Sequence, residues 1–474
     1  MPASSVVRLS EEEKLSSQVP ENKKQKKKPI FDPTKNHGRY AAADYTGCVD
    51  ITVAHAHLRK GDRCPDCEAA LQNGKLYVVP KWVIRLQGSP IITGTRYQCE
   101  HLRCTLCAQD YKVSLPPEVA GRPKYDETAR SSIAIARYYT GIPFKRLELL
   151  QSLQGIPLAD ATQWDQMQPL YEVALPVHRV LEQCAAQGRL VHYDDTPNCI
   201  LEAKVNKKAV HTTAFISMQG SHAIYLFYTS ERYAAQNVEL LLAERTSDEP
   251  FFSMTDASSQ NFPKYMDEEL LARWILCFCL VHGRRKFYEI FNAFPVECEC
   301  VLDIISQVYQ HDAHCKKNQY SAHDRLLYHQ QHSAPLMESL HVWLNNQLLH
   351  RVSEENSGLG QAIRYMLRHW IPLTQFMRHA GAPLDNSICE QAIKVAIRHR
   401  RNSLFYKTYK GAQVGDCLMS IIHTCAKNKV NIFDYLNALQ RYGAQVSEHP
   451  SLWLPWNYQE PLTILNDSML ASAA

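Results

Sequence analysis

The sequence predicts an α/β fold: a mixed β-sheet flanked by helices, interrupted by a large all-helical insertion and preceded by a small cysteine-rich unit. Three observations carry this. Three strand-like runs follow one another over residues 190–229, after which strand and helix alternate. Residues 283–381 then show helical periodicity almost throughout. Ahead of both, two Cys-x-x-Cys pairs bracket a hairpin-like stretch.

Bulk properties narrow the class. A chain of 474 residues exceeds one ordinary core, so about two to four domains are expected. Hydrophobic content of 45% and charged content of 21% suit a globular protein. The longest apolar run, Trp274–Val281, is far short of a bilayer span, and no apolar signal segment opens the chain. A cytoplasmic protein with no membrane partner is expected. Sixteen cysteines in that setting point to metal sites and buried thiols and away from a disulfide framework. None lies in a recognisable nucleophile motif, which argues against a cysteine hydrolase. A net charge of +4 is weakly basic, so any nucleic-acid surface must be a local patch.

Residues 1–44 read as a disordered tail with five lysines within Lys23–Lys28, either simply solvated or an arm for phosphates. Residues 45–120 read as a zinc ribbon. Cys64-Pro-Asp-Cys67 and Cys104-Thr-Leu-Cys107 are its knuckles, with strands expected at Lys75–Leu86 and Pro90–Tyr97. Four thiolates close a tetrahedral structural Zn site and leave no open position for catalysis. Cys99 is an alternative ligand to Cys104; His55, His57 and His101 read as ordinary surface histidines.

Residues 121–187 read as helices broken at Gly141-Ile142-Pro143 and Gly155-Ile156-Pro157, the last running from about Asp160 to Gln187. They are either a helix-turn-helix-like DNA-binding segment or a helical spacer. Over 188–282, strands at Leu190–Thr196, Ala209–Met218 and His222–Thr229 precede a helix at Glu231–Arg245 and strands at Phe251–Asp256 and Trp274–Val281. That is the element order of a ribonuclease-H-like core. The insertion occupies 283–383, and 384–474 holds the helix of Glu390 and further helices, including Gly411–Tyr442.

Three acidic residues have settings that suit metal ligands. Asp194 and Asp256 close strand-like runs, and Glu390 opens a helix. Carboxylates from two strand ends and a helix can converge on two divalent cations, which clamp attacking and leaving oxygens at phosphorus. Each has a plainer reading. Only one of Asp194 and Asp195 can face the metal, because successive strand residues face opposite sides, and either could serve a turn. Asp256 could cap the polar turn after it. Ser387 and Glu390 have capping-box spacing. Two basic clusters accompany the acids: His282, Arg284, Arg285 and Lys286, then Arg398, Arg400 and Arg401, with Lys394 one turn from Glu390. They are candidates for holding phosphates or are charged helix faces; Lys394 could instead pair with Glu390.

Several blocks resemble the insertion-sequence-66 (IS-66) family of bacterial DDE transposases. They are His37-Gly38-Arg39, Cys64-Pro-Asp-Cys67, Gly155-Ile156-Pro157-Leu158 with Thr162 and Trp164, and His192–Pro197. Cys279–Phe287, Asp385–Glu390 and Arg400–Phe405 complete the series. The resemblance implies a catalytic triad of Asp194, Asp256 and Glu390 holding two Mg²⁺ ions, with Mn²⁺ as an alternative. It implies cleavage at transposon ends, then attack of the freed 3′-hydroxyl on target DNA. Implied partners are double-stranded DNA (terminal inverted repeats and target), accessory proteins of the same element, and a second copy on DNA, at the bacterial nucleoid. Gln391, Ser387 and Ser403 depart from the family's usual Arg, Asn and Trp, and Thr255–Gln260 is looser than its usual Asp-Gly-Tyr. Two further readings stand: a ribonuclease-H-like nuclease without strand joining, and a catalytically silent, zinc-dependent DNA-binding derivative.

Overall fold

The computed structural model describes residues 119–350 and 353–473 and, before them, residues 58, 60–62, 75, 76, 89–97, 99, 101–103, 110–112 and 116. The lysine-rich tail, His55, His57, Cys64, Cys67, Cys104 and Cys107 of the expected ribbon, and residues 77–86 of its expected strand Lys75–Leu86, lie outside the described residues. The chain divides into two compact units, Met1–Gly88 and Ser89–Ala474. In the first, Gly61 N–H donates to Leu76 O and Leu76 N–H to Asp62 O, each at 2.9 Å.

The second unit begins with a correction. Pro90–Tyr97 is not a strand. Ile92 is buried, and its backbone N–H and C=O pair with the side-chain amide of Gln151, at 3.4 and 2.9 Å, where a strand would have used a neighbour. Strands β1 (His101–Arg103) and β2 (Asp110–Lys112) pair antiparallel.

Helix α1 (Glu127–Ala134) starts on the Asp126 side chain, which accepts from Ala129 N–H, and ends in a π-turn over Ile135–Tyr139. Gly141, with φ +80°, turns the chain into α2 (Phe144–Leu153), and α3 (Asp160–Ala186) follows. Two prolines, Pro169 and Pro176, sit inside α3.

Next come β3 (Leu190–Asn198), α4 (Leu201–Val205), β4 (Val210–Gln219) and β5 (His222–Ser230). They precede α5 (Ala234–Leu242), β6 (Phe251–Thr255), α6 (Glu268–Arg273) and β7 (Trp274–Phe278). The five long strands form one mixed sheet in the order β5-β4-β3-β6-β7. β3–β4 and β4–β5 are antiparallel, as consecutive hairpin strands must be; β3–β6 and β6–β7 are parallel and joined through helices. β7 ends three residues earlier than its apolar run suggests. Cys279 N–H donates to Thr255 O, and helix α7 (Leu280–Glu289) takes up the apolar residues that follow.

α3 and α5 cover the sheet face shown by Val191 and Tyr193, where Ser217 Oγ donates to Ala185 O and Asn237 Nδ2 to Thr213 Oγ1. The exposed side of β5 would be a row of unpaired peptide groups. A C-terminal helix, Tyr409–Lys427, answers it with side chains spaced one turn apart.

An all-helical segment follows α7, made of α8 (Pro295–Lys317), α9 (Ala322–His332), α10 (Ala334–Leu349), α11 (Gly358–Arg368) and the short α12 (Trp370–Leu373). It has its own core, built on Phe287, Val301, Ile305, Leu340, Leu344 and Ile363. Gly283 is needed where α7 meets α11: a Cβ there would lie 2.6 Å from Met366 Sδ. Buried Asp312 takes Arg325 Nε and Lys316 Nζ, each at 2.7 Å, and Arg325 Nη1 also donates to Ala382 O. That last bond ties these helices to the segment leading back to the sheet.

The chain returns in α13 (Ser387–Ser403), α14 (Tyr409–Lys427), α15 (Ile432–Arg441), α16 (Gly443–Glu448) and α17 (Gln459–Ala473). On α14, Asp416, Ser420, Thr424 and Asn428 just beyond its end accept in turn from the N–H groups of Thr229, Phe227, Tyr225 and Ala223. The edge strand is thus capped by a polar stripe on a buried helix. Among the described residues no helix is long and apolar enough to cross a membrane.

Candidate active site at the end of the sheet

His192 and Asp194 share one face of β3 because strand side chains alternate. The parallel register sets Leu190 opposite Phe252 and His192 opposite Met254. Asp194 and Asp256 each lie two residues beyond the last pair of that ladder, Asp194 within β3 and Asp256 just past the end of β6. Asp195 faces the other way, and its Oδ2 accepts from Ala234 N–H at the start of α5. The adjacent pair of aspartates therefore divides its work between the two sheet faces.

α13 lies on the face of Asp194. Its entry is fixed by Asn386, which is fully buried. His192 Nδ1 lies 3.0 Å from Asn386 Oδ1, Asn386 Nδ2 donates to Tyr193 O at 3.2 Å, and Asn386 N–H donates to Cys279 Sγ at 3.3 Å. Leu280 N–H donates to Leu384 O at 3.0 Å. The middle of β3, the ends of β6 and β7 and the start of α13 meet here, with Glu390 in the first turn of the helix.

The capping box that the spacing of Ser387 and Glu390 allows does not form. Asn386 is the N-cap without a side-chain cap bond, and Glu390 Oε1 is buried with no hydrogen-bond partner. Asp256 does organise the turn after it, accepting on Oδ1 from Ser258 N–H at 3.0 Å and from Asn261 Nδ2. Asn261 also acts on Asp194, lowering its carboxyl against the larger effect of burial. It carried no signal in the sequence beyond its polar turn.

The electrostatics are those of crowded acids. Burial, then the charge of Asp256, pushes the Asp194 carboxyl up to about 7, against the lowering effect of Asp195 N–H at 2.8 Å. Cys389, fully buried beside Glu390, has its thiol pushed well above the ordinary range, by burial first and then by Asp194, Glu390 and Asp256. All three acids therefore act on one buried point.

His282 joins this group. Cys279, His282 and Glu390 each present a ligand atom within 4.8 Å of the others, and His282 Nδ1 is buried without a partner. Burial pushes the Cys279 thiol up to about 11, so it stays protonated and serves as acceptor for Asn386. The residues with ligand capacity to spare are oxygen donors and one imidazole. That set fits a hard divalent cation.

Arg284, Arg285 and Lys286 are exposed on α7, Arg284 lying 5.7 Å from the Tyr288 ring and Lys286 5.6 Å from the Tyr365 ring. Lys394, Arg398 and Arg401 are exposed and fall on the helical face of Glu390, at intervals close to whole turns of α13. Arg398 Nη2 donates to Tyr139 O at 2.8 Å; Arg400 turns aside to Pro197 O. Among the described residues none of these cations forms an ion pair with a carboxylate, and Lys394 does not pair with Glu390.

A family model described as "Transposase IS66 family" matches residues 123–414. Among curated proteins, the chain is similar to "Uncharacterized protein y4jD" of Sinorhizobium fredii (strain NBRC 101917 / NGR234), 31% identical over 189 residues, 39% of this chain and 36% of that protein. "Uncharacterized protein y4hP" of the same strain is 27% identical over 204 residues, 38% of this chain and 35% of that one. The aligned part spans about a third of the length of these curated relatives.

Proposed function

The chain belongs to the IS66 family of transposases, and on that premise we propose that it is a DDE transposase. It cuts DNA at the ends of a mobile element and joins the 3′-hydroxyl to target DNA. The carrying observation is the buried, unpartnered Glu390 oxygen on a helix held against β3, the strand of Asp194, whose carboxyl burial and the neighbouring charge of Asp256 push up. The strand order β5-β4-β3-β6-β7 supports reading the sheet as a ribonuclease-H-like core. The helices of 295–373 are then its insertion.

Buried, crowded carboxylates keep their protons unless a countercharge replaces them, and divalent Mg²⁺, or Mn²⁺, suits this donor set. A bound pair of such ions would supply charge stabilisation to both the attacking and the leaving oxygen. Asp194, Asp256 and Glu390 would hold them, with His282 beside Glu390. The rest falls to the protein's own groups. Asn386 and His192 fix where α13 enters, and so where Glu390 points. Lys394, Arg398 and Arg401 form a cationic track leading from Glu390, suited to a phosphate backbone. Arg284, Arg285 and Lys286 offer a second one on α7; Arg400 borders β3. The ribbon of Cys64, Cys67, Cys104 and Cys107, closed by structural zinc, and the helices of 121–187 would hold the element's terminal repeats. Action on the nucleoid in the bacterial cytoplasm, by two copies on DNA with accessory proteins of the same element, completes the proposal.

The test is Mg²⁺-dependent nicking of DNA carrying the element's ends. Asp194→Ala should abolish it while leaving DNA binding intact; surviving cleavage would overturn the assignment. A pre-cut end offered with target DNA separates a transposase from a nuclease that cannot join. Binding without cleavage in the unaltered protein would identify a silent derivative.

A further inference from the structure

We propose that a groove between α2, the start of α3 and the end of α13 holds an unstacked nucleotide of single-stranded DNA. The groove has a volume of about 920 Å³ and walls that are mostly apolar. Phe144, Trp164 and Phe405 supply aromatic surface; Arg137, Arg146 and Lys407 supply positive charge, against a single acid, Asp160. Lys145 also lines the groove, but Glu148 neutralises it at 3.0 Å.

Arg137 carries the argument. It is only 8% exposed, and among the described residues no carboxylate pairs with it. Nη1 donates to Ser403 Oγ, Nε is buried with no partner, and the guanidinium lies 5.0 Å from the Phe144 ring. A buried cation with a spare donor lacks an anion. The aromatic walls exclude a small hydrated anion as the whole answer, since they need a flat apolar body to cover them. A phosphate joined to a nucleobase meets both requirements: charge for the cations, a π-face for the rings. A paired duplex offers no free base face.

Chain geometry favours the same occupant. Leu404 takes a left-handed backbone, φ +69°, rare for a bulky residue, and the turn leaves Leu404 and Phe405 exposed at the rim. α13 ends at this rim, so Arg401 and Lys394 lead from it back to Glu390, about 20 Å away at ~1.5 Å per residue. A strand following the stripe would reach the groove.

The inference rests on reading the chain as an enzyme acting on DNA, so binding to blunt duplex is measured beside it. A fluorescent duplex is compared with the same duplex bearing a short single-stranded tail containing 2-aminopurine. The full chain should prefer the tailed form by roughly tenfold and quench the 2-aminopurine by stacking. Phe405→Ala should remove the preference and the quenching, with blunt-duplex affinity and melting temperature unchanged. Lys407→Glu, at an exposed site, should weaken only the tailed form and guards against a folding effect. Equal binding of both forms by the unaltered protein, or variants that keep preference and quenching, would overturn the groove and leave the transposase reading standing. No binding to either form would sink both.

Discussion

His192 on β3 and Asn386 at the head of α13 are locked together by a buried hydrogen bond of 3.0 Å across 194 residues of sequence. Asn386 Oδ1 can only accept, so the imidazole carries its proton on Nδ1. Burial holds that histidine down to about 4, which keeps it neutral in neutral solution. The side-chain amide of Asn386 is thereby committed to β3, its N–H to Cys279 and its carbonyl to Glu390 N–H, so the helix that carries Glu390 starts from a fixed point.

Asn386→Ala leaves His192 Nδ1 and Tyr193 O without partners, at a cost of about 1–3 kcal/mol. Chemical denaturation should show that loss. Strand cleavage should fall further than DNA affinity does, because the phosphate-facing cations lie elsewhere on α13 and α7. Equal losses in both would mean that Asn386 only supports the fold.

Metal should be visible in stability before it is visible in chemistry. Removing a buried charge beside Asp256, Asp194→Asn should make the metal-free protein more stable by roughly 1–3 kcal/mol, since Asn still accepts from Asp195 N–H. Mg²⁺ should raise the melting temperature of the unaltered protein, by the equivalent of about 2.7 kcal/mol at a hundred times its dissociation constant. Asp194→Asn and Glu390→Gln should both lose that rise. A metal shift that survives in both places the ion elsewhere.

The sheet was legible because its signals are local. Runs at 190–229 are β-branched and aromatic, and the two-residue turn between β4 and β5 forces an antiparallel pair. The acids were legible as the polar residues that end apolar runs. What escaped depends on partners far away in the chain. Asn261 reads as any turn residue until the turn folds back onto Asp256. His282 read as part of a basic patch, and only folding shows it beside Glu390. Pro90–Tyr97 has strand composition, but Gln151 takes the hydrogen bonds a strand would have used. Composition reports what a segment could bury, and the available partner decides its form.

The joint between α13 and the N-terminal helices tolerates little change. Asn402 Nδ2 donates to Gly141 O at 3.0 Å and Arg398 Nη2 to Tyr139 O. Gly141→Ala would place a Cβ 3.2 Å from Asn402 Nδ2 on a left-handed backbone. A loss of about 1–2 kcal/mol in unfolding free energy is expected from the backbone alone. A neutral result would show that the turn relaxes and that the joint does not depend on glycine.

Asp416 begins the polar stripe that caps β5, and its pH dependence isolates that contact. Its oxygens accept from Thr229 N–H at 2.6 Å and Thr229 Oγ1 at 2.7 Å, yet burial outweighs both and pushes the carboxyl from 3.8 up to about 7. Between those values the unfolded chain has released a proton that the folded protein keeps. Stability therefore falls as pH rises through this window, and above about 7 the penalty is constant. Asp416→Asn cannot titrate, and whatever its altered hydrogen bonds cost is independent of pH. The stability of the unaltered protein minus that of the variant should drop by an amount on the order of 2–4 kcal/mol from pH 4 to 7, then level off. Urea melts of both proteins across that range measure it. A difference that stays flat would mean the carboxylate is already ionised at pH 4, with the two Thr229 hydrogen bonds outweighing burial.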